Sequence, residues 1–521
     1  MHAYTKVYTL KNTILLSAII TLCRLIYLYT NHIDLHPDEA QYWVWSRHLA
    51  LGYYSKPPVI AWLIALSTSA CGPAEPCIRI FSPLLHFATA IIIFHLAKYL
   101  WDEKTDIQLI PPPLRGRLGG GLRQSQASRY ASYPPPQPSP SRGEGEEYGF
   151  FAALGFLLLP GVTFSSTLIT TDPPLLTAYA GALLFFVKAI REDKLRHWIW
   201  CGIFTGAGLL TKYTMAVFLL SAFLYIAVNT PARLKNFKPW LAALIAFVIF
   251  LPNLIWNLQN HLVSFRHTED NLNPETSFAP IKLLEFLAAQ AGIFGPIFFV
   301  FLTFILLFRF REIKKDERHQ ILYYFFLPLL AITLAVCIIS RAHGNWAAPI
   351  YVPATILVVA WLLDNEKMFW LRAALILNLL FMLLFYNLGQ MHLKLDPYAR
   401  LRGWREFSGQ IGEIKSQHPG ALIFTDERKI AAELSYYLQG ENHEPAAIYK
   451  WNPKNKAQDY FDLALHMEDM KNHDFIFITR NDNASIIANH FAANSLEKTL
   501  PLPANPKLIY RIYFMKNFEG Y

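Results

Sequence analysis

The chain has 521 residues, 53% hydrophobic and only 16% charged, with a formal net charge of +9 at pH 7. That is too little charge for an ordinary soluble enzyme, and the apolar residues gather in runs long enough to cross a hydrocarbon core about 30 Å thick, which takes roughly 20 helical residues. The basic residues sit in short loops between those runs, a topological bias and not a nucleic-acid footprint, so no nucleic-acid partner is expected.

In chain order, Lys6 and Lys11 precede an apolar stretch over 13–29, and no small-residue cleavage site follows, which predicts an uncleaved first span. The next stretch, 34–62 (DLHPDEAQYWVWSRHLALGYYSKPPVIAW), is too polar to cross a bilayer. It holds Asp38-Glu39, Lys56-Pro57-Pro58 and the aromatics Tyr42, Trp43, Trp45, Tyr53, Tyr54 and Trp62. Carboxylates, a lysine and a belt of amphipathic aromatics beside a span describe a site at the lipid–water interface, with the aromatics as interfacial anchors. Residues 59–70 read as a second interfacial helix. Cys71 and Cys77 bracket Gly-Pro-Ala-Glu-Pro in an external loop. An oxidising periplasm permits a disulfide there, and two unpaired apolar thiols are the other reading; the five cysteines form no metal cluster.

A second span is predicted over 78–100. Residues 101–148, with Pro111-Pro112-Pro113, Gly119-Gly120-Gly121 and many arginines, read as a disordered cytoplasmic insertion. Further spans are predicted over 150–165, 175–189, 198–210, 215–228, 240–256, 283–308, 322–339, 349–363 and 369–388, about eleven in all. With 34–62 outside, the basic loops near Lys188, Arg233 and Arg309 fall inside, and the tail falls outside. The tail alternates strand-like runs (421–426, 474–480, 507–515) with helical ones (400–415, 427–438), which predicts a small α/β domain. The expected architecture is a polytopic α-helical membrane domain over 1–388 with an α/β periplasmic domain over 389–521.

Several constellations can carry chemistry. Pro37 suits the first position of a helix, and Asp38 and Glu39 lie in its first turn, where the dipole favours negative charge. That alone accounts for both acids; the chemical reading is that a carboxylate facing an external cavity takes a proton from an acceptor hydroxyl. Lys56, held extended by the proline after it, is either a snorkelling anchor or the cation that neutralises a departing lipid phosphate. Asp172, before Pro173-Pro174, reads as an N-cap in a second external loop. Lys212 interrupts two short spans and Arg24 lies inside the first, and ionisable residues at such depths mark function or a partner. Arg341, in the polar stretch 340–346, has the forked donors that suit phosphate. His32 and His36 lack a third ligand; no cofactor is assigned, and a divalent metal stays open but unsupported.

HPDEAQYWVWSRHLALGYYSKPPVIAW, followed in order by TTDPPLLTAYA, GLLTKYT and HGNWAAPIYVPA, resembles the GT-C glycosyltransferases that use lipid-linked sugars. These include protein O-mannosyltransferases, the aminoarabinose transferase of lipid A and transferases that add galacturonic acid to lipopolysaccharide; the resemblance is greatest to the lipopolysaccharide-modifying branch. It implies inverting transfer from a polyprenyl-phosphate sugar donor to lipid A or the lipopolysaccharide core, at the periplasmic face of a bacterial inner membrane. The implied partners are that donor, a lipid or glycan acceptor and membrane lipids. It also implies Asp38 and neighbouring Glu39 as catalytic, Lys56 near the donor phosphate and Asp172 in the second external loop, with Lys212 and Arg341 added to the phosphate site by position. Protein O-glycosylation by the same chemistry and a lipid-linked-sugar flippase are the alternatives. A flippase would show paired halves with broken helices, and no such symmetry is evident.

Overall fold

A computed structural model of the chain describes residues 7–102, 144–270, 280–313, 315–339, 344–388, 398 and 401–521. Helix α1 (Leu10–Thr30) is the first apolar run, capped by the Thr9 side chain. Helix α2 (Pro37–Arg47) starts on a capping box: His36 Nδ1 accepts from the Asp38 N–H and Glu39 accepts from the His36 N–H. Then follow α3 (Val59–Cys71), α4 (Glu75–Arg79), α5 (Phe81–Trp101), α6 (Glu144–Leu157), α7 (Pro160–Ser165), α8 (Asp172–Glu192), α9 (Leu195–Leu209), α10 (Ala216–Asn229), α11 (Phe237–Gln259), α12 (Val263–Asp270), α13 (Pro280–Phe294), α14 (Pro296–Phe308), α15 (Glu317–Ile339), α16 (Tyr351–Asp364) and α17 (Met368–Leu388). Helices α8 and α16, apolar nearly all round, form the buried centre of the bundle, while α1, α11 and α17 turn leucine, isoleucine and phenylalanine outward. The protein is a multi-pass membrane protein.

Among the described residues, seven helices are long and apolar enough to cross a membrane, or eight counting α13 and α14 as one broken span. This differs from the expected eleven because α6, α9 and α10 have only 14, 15 and 14 residues. Two predicted spans are broken. The run 150–165 divides where α6 ends at Leu157 and Pro160 opens α7, since proline has no N–H to continue the ladder. Arg24 Nη2 donates to the Leu157 carbonyl left over at this break, 2.5 Å away, so its charge serves the backbone. The run 283–308 bends by 118° between α13 and α14. Gly295 at the bend has φ +85°, and a Cβ there would collide with the Asn378 side chain, so glycine is required for conformation and space alike.

The boundaries of the 101–148 segment are also corrected. Trp101 is buried and stacks on Tyr148 with centroids 5.1 Å apart, and Lys98 pairs with Glu146 at 2.6 Å, so both ends are built into the bundle. Residues 103–143 lie outside the described residues. Asp172 is the first residue of α8, with Thr171 at the cap position.

The tail folds as α18 (Trp404–Gln417), β1 (Leu422–Thr425), α19 (Arg428–Tyr437), β2 (Ile448–Lys450), α20 (Tyr460–Ala464), β3 (Phe475–Thr479), α21 (Ala484–Ala488), β4 (Phe491–Leu502) and β5 (Asn505–Phe518). The sheet order is β2-β1-β3-β5-β4, with β1 parallel to β2 and β3, and β5 antiparallel to β3 and β4. Every residue of β3 is buried, as a strand covered on both faces must be. Strand β4 was not anticipated because its exposed middle, Ala-Asn-Ser-Leu-Glu-Lys, lacks an apolar alternation.

Candidate active site

A cavity of about 1060 Å³ opens between α2, the loop carrying Lys56, the α7–α8 junction, α12, α15 and the C-terminal domain. One part is apolar (Val217, Leu329, Ile332, Val336). The other gathers Asp38, Lys56, Lys212, Arg428, Lys450 and Asp459.

The two adjacent acids of α2 have different surroundings. Glu39 is 1% exposed, and its oxygens accept from Arg79 Nε at 2.9 Å, Arg79 Nη2 at 2.7 Å, the His36 N–H at 2.9 Å and the Ile169 N–H at 2.8 Å. Arg79 also donates to the carbonyls of Ile33 and Asp34. With four donors on its two oxygens, Glu39, expected to be catalytic, anchors the start of the helix. The Asp38 side chain is 43% exposed and accepts from Arg428 Nη2 at 2.8 Å, with His36 Nδ1 at 3.9 Å. Burial pushes its carboxyl up, but Arg428, His36 and Lys56 outweigh that and hold it below the usual carboxylate range.

Lys56 sits on a loop tied from behind. Asn253 donates to the Leu51 carbonyl and Ser264 to the Tyr53 carbonyl, both at 2.7 Å, and the Val59 N–H reaches the Leu210 carbonyl. Among the described residues its ammonium makes no hydrogen bond or ion pair. Burial, then Lys212, push it below the ordinary lysine value, against the opposing pull of Asp38 and Asp172. Gly52 presses this loop onto α11, where a Cβ would lie 2.5 Å from the Trp256 ring. Gly52→Ala is therefore expected to lose about 1–3 kcal/mol of stability, as overpacked sites do, and to raise the donor KM by displacing Lys56; a thermal melt with donor titration measures both.

Lys212, expected at the donor phosphate, is already paired: Nζ lies 2.8 Å from Asp172 Oδ1, whose other oxygen takes the Asn345 amide at 2.9 Å. Arg341 lies outside the described residues. The aromatics of α2 are corrected from interfacial anchors to core. Trp43 and Trp45 are fully buried because the C-terminal domain covers them: Trp43 meets Tyr436 edge-on at 4.9 Å, and Trp45 stacks on Tyr53 at 4.6 Å and meets Tyr460. Cys71 and Cys77 are joined in a disulfide, and the loop it closes supports the same domain through Tyr436 to the Pro73 carbonyl, and Tyr437 and Arg405 to Glu75. Among the described residues no three His, Cys, Asp or Glu gather as metal ligands.

Arg428, Gln41, Lys450, Gln458 and Asp459 also line the cavity and went unnoticed in the sequence. Arg428 carried one signal. An arginine at the first position of a helix opposes the dipole, which points to an anionic partner beyond the helix.

A bundle of apolar helices thus carries an acid-and-base cavity covered by the C-terminal domain. The family of dolichyl-phosphate-mannose-protein mannosyltransferases matches residues 144–256. The lipid A galacturonosyltransferase RgtD of Rhizobium johnstonii is 31% identical over 451 residues, 85% of each chain. The lipopolysaccharide core galacturonosyltransferase RgtB of the same organism is 25% identical over 270 residues, 50% of this chain and 42% of RgtB. Among solved structures, apo ArnT from Cupriavidus metallidurans superposes with a TM-score of 0.60 at 13% identity, over 96% of this chain and 97% of ArnT, and ArnT bound to undecaprenyl phosphate gives 0.57 at 14%, with the same coverage. The fold is thus the GT-C fold of ArnT, and the protein is a glycosyltransferase. Within that superfamily the chain belongs to the family that includes RgtD.

Proposed function

We propose that this protein transfers a galacturonic acid residue from polyprenyl phosphate to lipid A, with inversion at the anomeric carbon, at the periplasmic face of a bacterial inner membrane. The observation that carries this is the 31% identity to a lipid A galacturonosyltransferase along 85% of both chains. The cavity supports it with an ionised acid, a lysine without a partner among the described residues and an apolar lining for a lipid tail. The acceptor oxygen attacks the anomeric carbon as the bond from that carbon to the phosphate oxygen breaks. The electron pair leaves on the phosphate, and the acceptor proton passes to Asp38. Lys56 neutralises the charge growing on the phosphate, an interaction that strengthens toward the transition state. Asp172 holds the Lys212 ammonium toward the same cavity. The basic loops at the opposite end of the bundle support this orientation.

Mass spectrometry of lipid A from cells with and without the chain tests the reading. A single uronic-acid increment that depends on the chain supports it. The same increment on the core, or a hexose on a protein, reassigns the acceptor.

The pKa directions give a pH profile. An Asp held low stays ionised well into acid, so the acid limb of kcat/KM is expected below the usual carboxylate value of about 3.9. A lysine held low loses its proton early, so the alkaline limb is expected below about 10.4. Donor phosphate restores the ammonium, so the alkaline limb of kcat lies higher than that of kcat/KM. An alkaline limb unmoved in Lys56→Arg would assign it to another group.

A further inference from the structure

We propose that Arg428 forms a carboxylate subsite for the donor sugar, so that the C-terminal domain selects uronic acids over neutral hexoses; this rests on the uronic-acid reading above. The argument begins with the charges around the cavity. Lys450 is held by Asp459 at 2.5 Å and Asp462 at 3.1 Å, Lys212 by Asp172, and Arg79 by Glu39. Among the described residues Lys56 has no acidic partner, and Arg428, though paired with Asp38, is the cation that stands beside the acid assigned to the chemistry. A polyprenyl phosphate carrying a neutral sugar has one negative charge, at the phosphodiester, which Lys56 matches. A uronic acid adds a second, and a carboxylate that gives up water on entering the cavity is compensated by a cation.

Arg428 has donors to spare. Nη2 donates to Asp38 at 2.8 Å and Nη1 to Gln41 Oε1 at 2.7 Å, which uses two of the guanidinium's N–H groups. The side chain is 33% exposed and lines the cavity. Its fork suits a planar carboxylate.

The covalent geometry of the sugar makes the placement specific. In a hexuronic acid the carboxylate stands on the carbon at one side of the ring oxygen, and the anomeric carbon is at the other side. A cation that reads the carboxylate must therefore neighbour the group that serves the anomeric centre. Arg428 does so directly, through its bond to Asp38, whereas Lys450 is committed to acids of its own domain. The Asp38–Arg428 pair also weakens the repulsion that a bare aspartate would exert on an incoming uronate.

The test uses the full chain in lipid nanodiscs with lipid A as acceptor, and two donors, polyprenyl-phosphate galacturonate and polyprenyl-phosphate galactose. The unmodified protein is expected to favour the uronate donor. In Arg428→Gln the ratio of kcat/KM values (uronate over galactose) is expected to collapse by about 100-fold, the order seen when a charge-assisted contact to one substrate is lost. Arg428→Lys, which keeps the charge without the fork, is expected to lose about 10-fold of that ratio. Equal losses with both donors would overturn the proposal and leave Arg428 as a partner of Asp38 only. If Arg428→Gln fails to melt cooperatively, Arg428→Lys decides, and an unchanged ratio there overturns the proposal. Transfer of galactose but no uronate by the unmodified protein would instead defeat the uronic-acid reading, and the subsite with it.

Discussion

Asp38→Asn is expected to lower kcat by about 10²–10⁴-fold, the usual contribution of a positioned general base, while donor affinity changes little. The substitution is nearly isosteric: the Arg428 bond to Oδ1 can persist, and the cap of α2 uses the backbone N–H of residue 38. What is lost is the capacity to accept a proton. Turnover of the lipid-linked sugar in nanodiscs, beside a thermal melt of the same sample, separates the chemical loss from unfolding. Full turnover in Asp38→Asn would remove the base role and leave the residue as a means of holding Arg428.

Glu39→Gln is expected to act in the opposite register, on the fold before the chemistry. Both partners of the Arg79–Glu39 pair are buried, with side chains 4% and 1% exposed. Removing one charge leaves the other uncompensated in a low-dielectric site, at a cost of about 3–5 kcal/mol, a large share of the 5–15 kcal/mol that separates typical folded and unfolded states. Arg79→Met in the same background is expected to recover part of the loss, because the stranded cation goes with it. The melting temperatures of the two single variants and the double variant measure this coupling. An unchanged melt in Glu39→Gln, with transfer abolished, would return Glu39 to the chemistry.

These two neighbours show where the sequence was legible. The Pro37 helix start, the KPP loop, the apolar spans and the strands at 422–425 and 475–479 are local in origin, each written in a proline, a run of apolar residues or a change of period. The difference between Asp38 and Glu39 is not local. It is made by Arg79, by the Ile169 N–H and by Arg428, which lie 40, 130 and 390 residues away from the acids they bind. The tryptophans of α2 were misread for the same reason, since the surface that buries them belongs to the other end of the chain. The breaks at Pro160 and Gly295-Pro296 were visible as punctuation, but the apolar runs around them read as continuous. Four polar residues of the C-terminal domain in the cavity wall (Arg428, Lys450, Gln458 and Asp459) reach it only through the packing of the two domains.

The stacked rings of Trp101 and Tyr148 have a practical consequence. The chain leaves α5 and enters α6 at nearly the same point, for a Cβ on Gly145 would lie 2.8 Å from the Lys98 carbonyl and 3.3 Å from the Asp102 nitrogen. With its ends already brought together by the bundle, the entropy of closing whatever lies between them grows only logarithmically, about 0.6 kcal/mol for each doubling of length. Helix α5, 21 residues and so about 31 Å long, keeps this junction a full helix length from the cavity. It is the natural port for an affinity handle or a fluorescent reporter, or for a short graft in place of 103–143, in a protein whose opposite end must stay untouched.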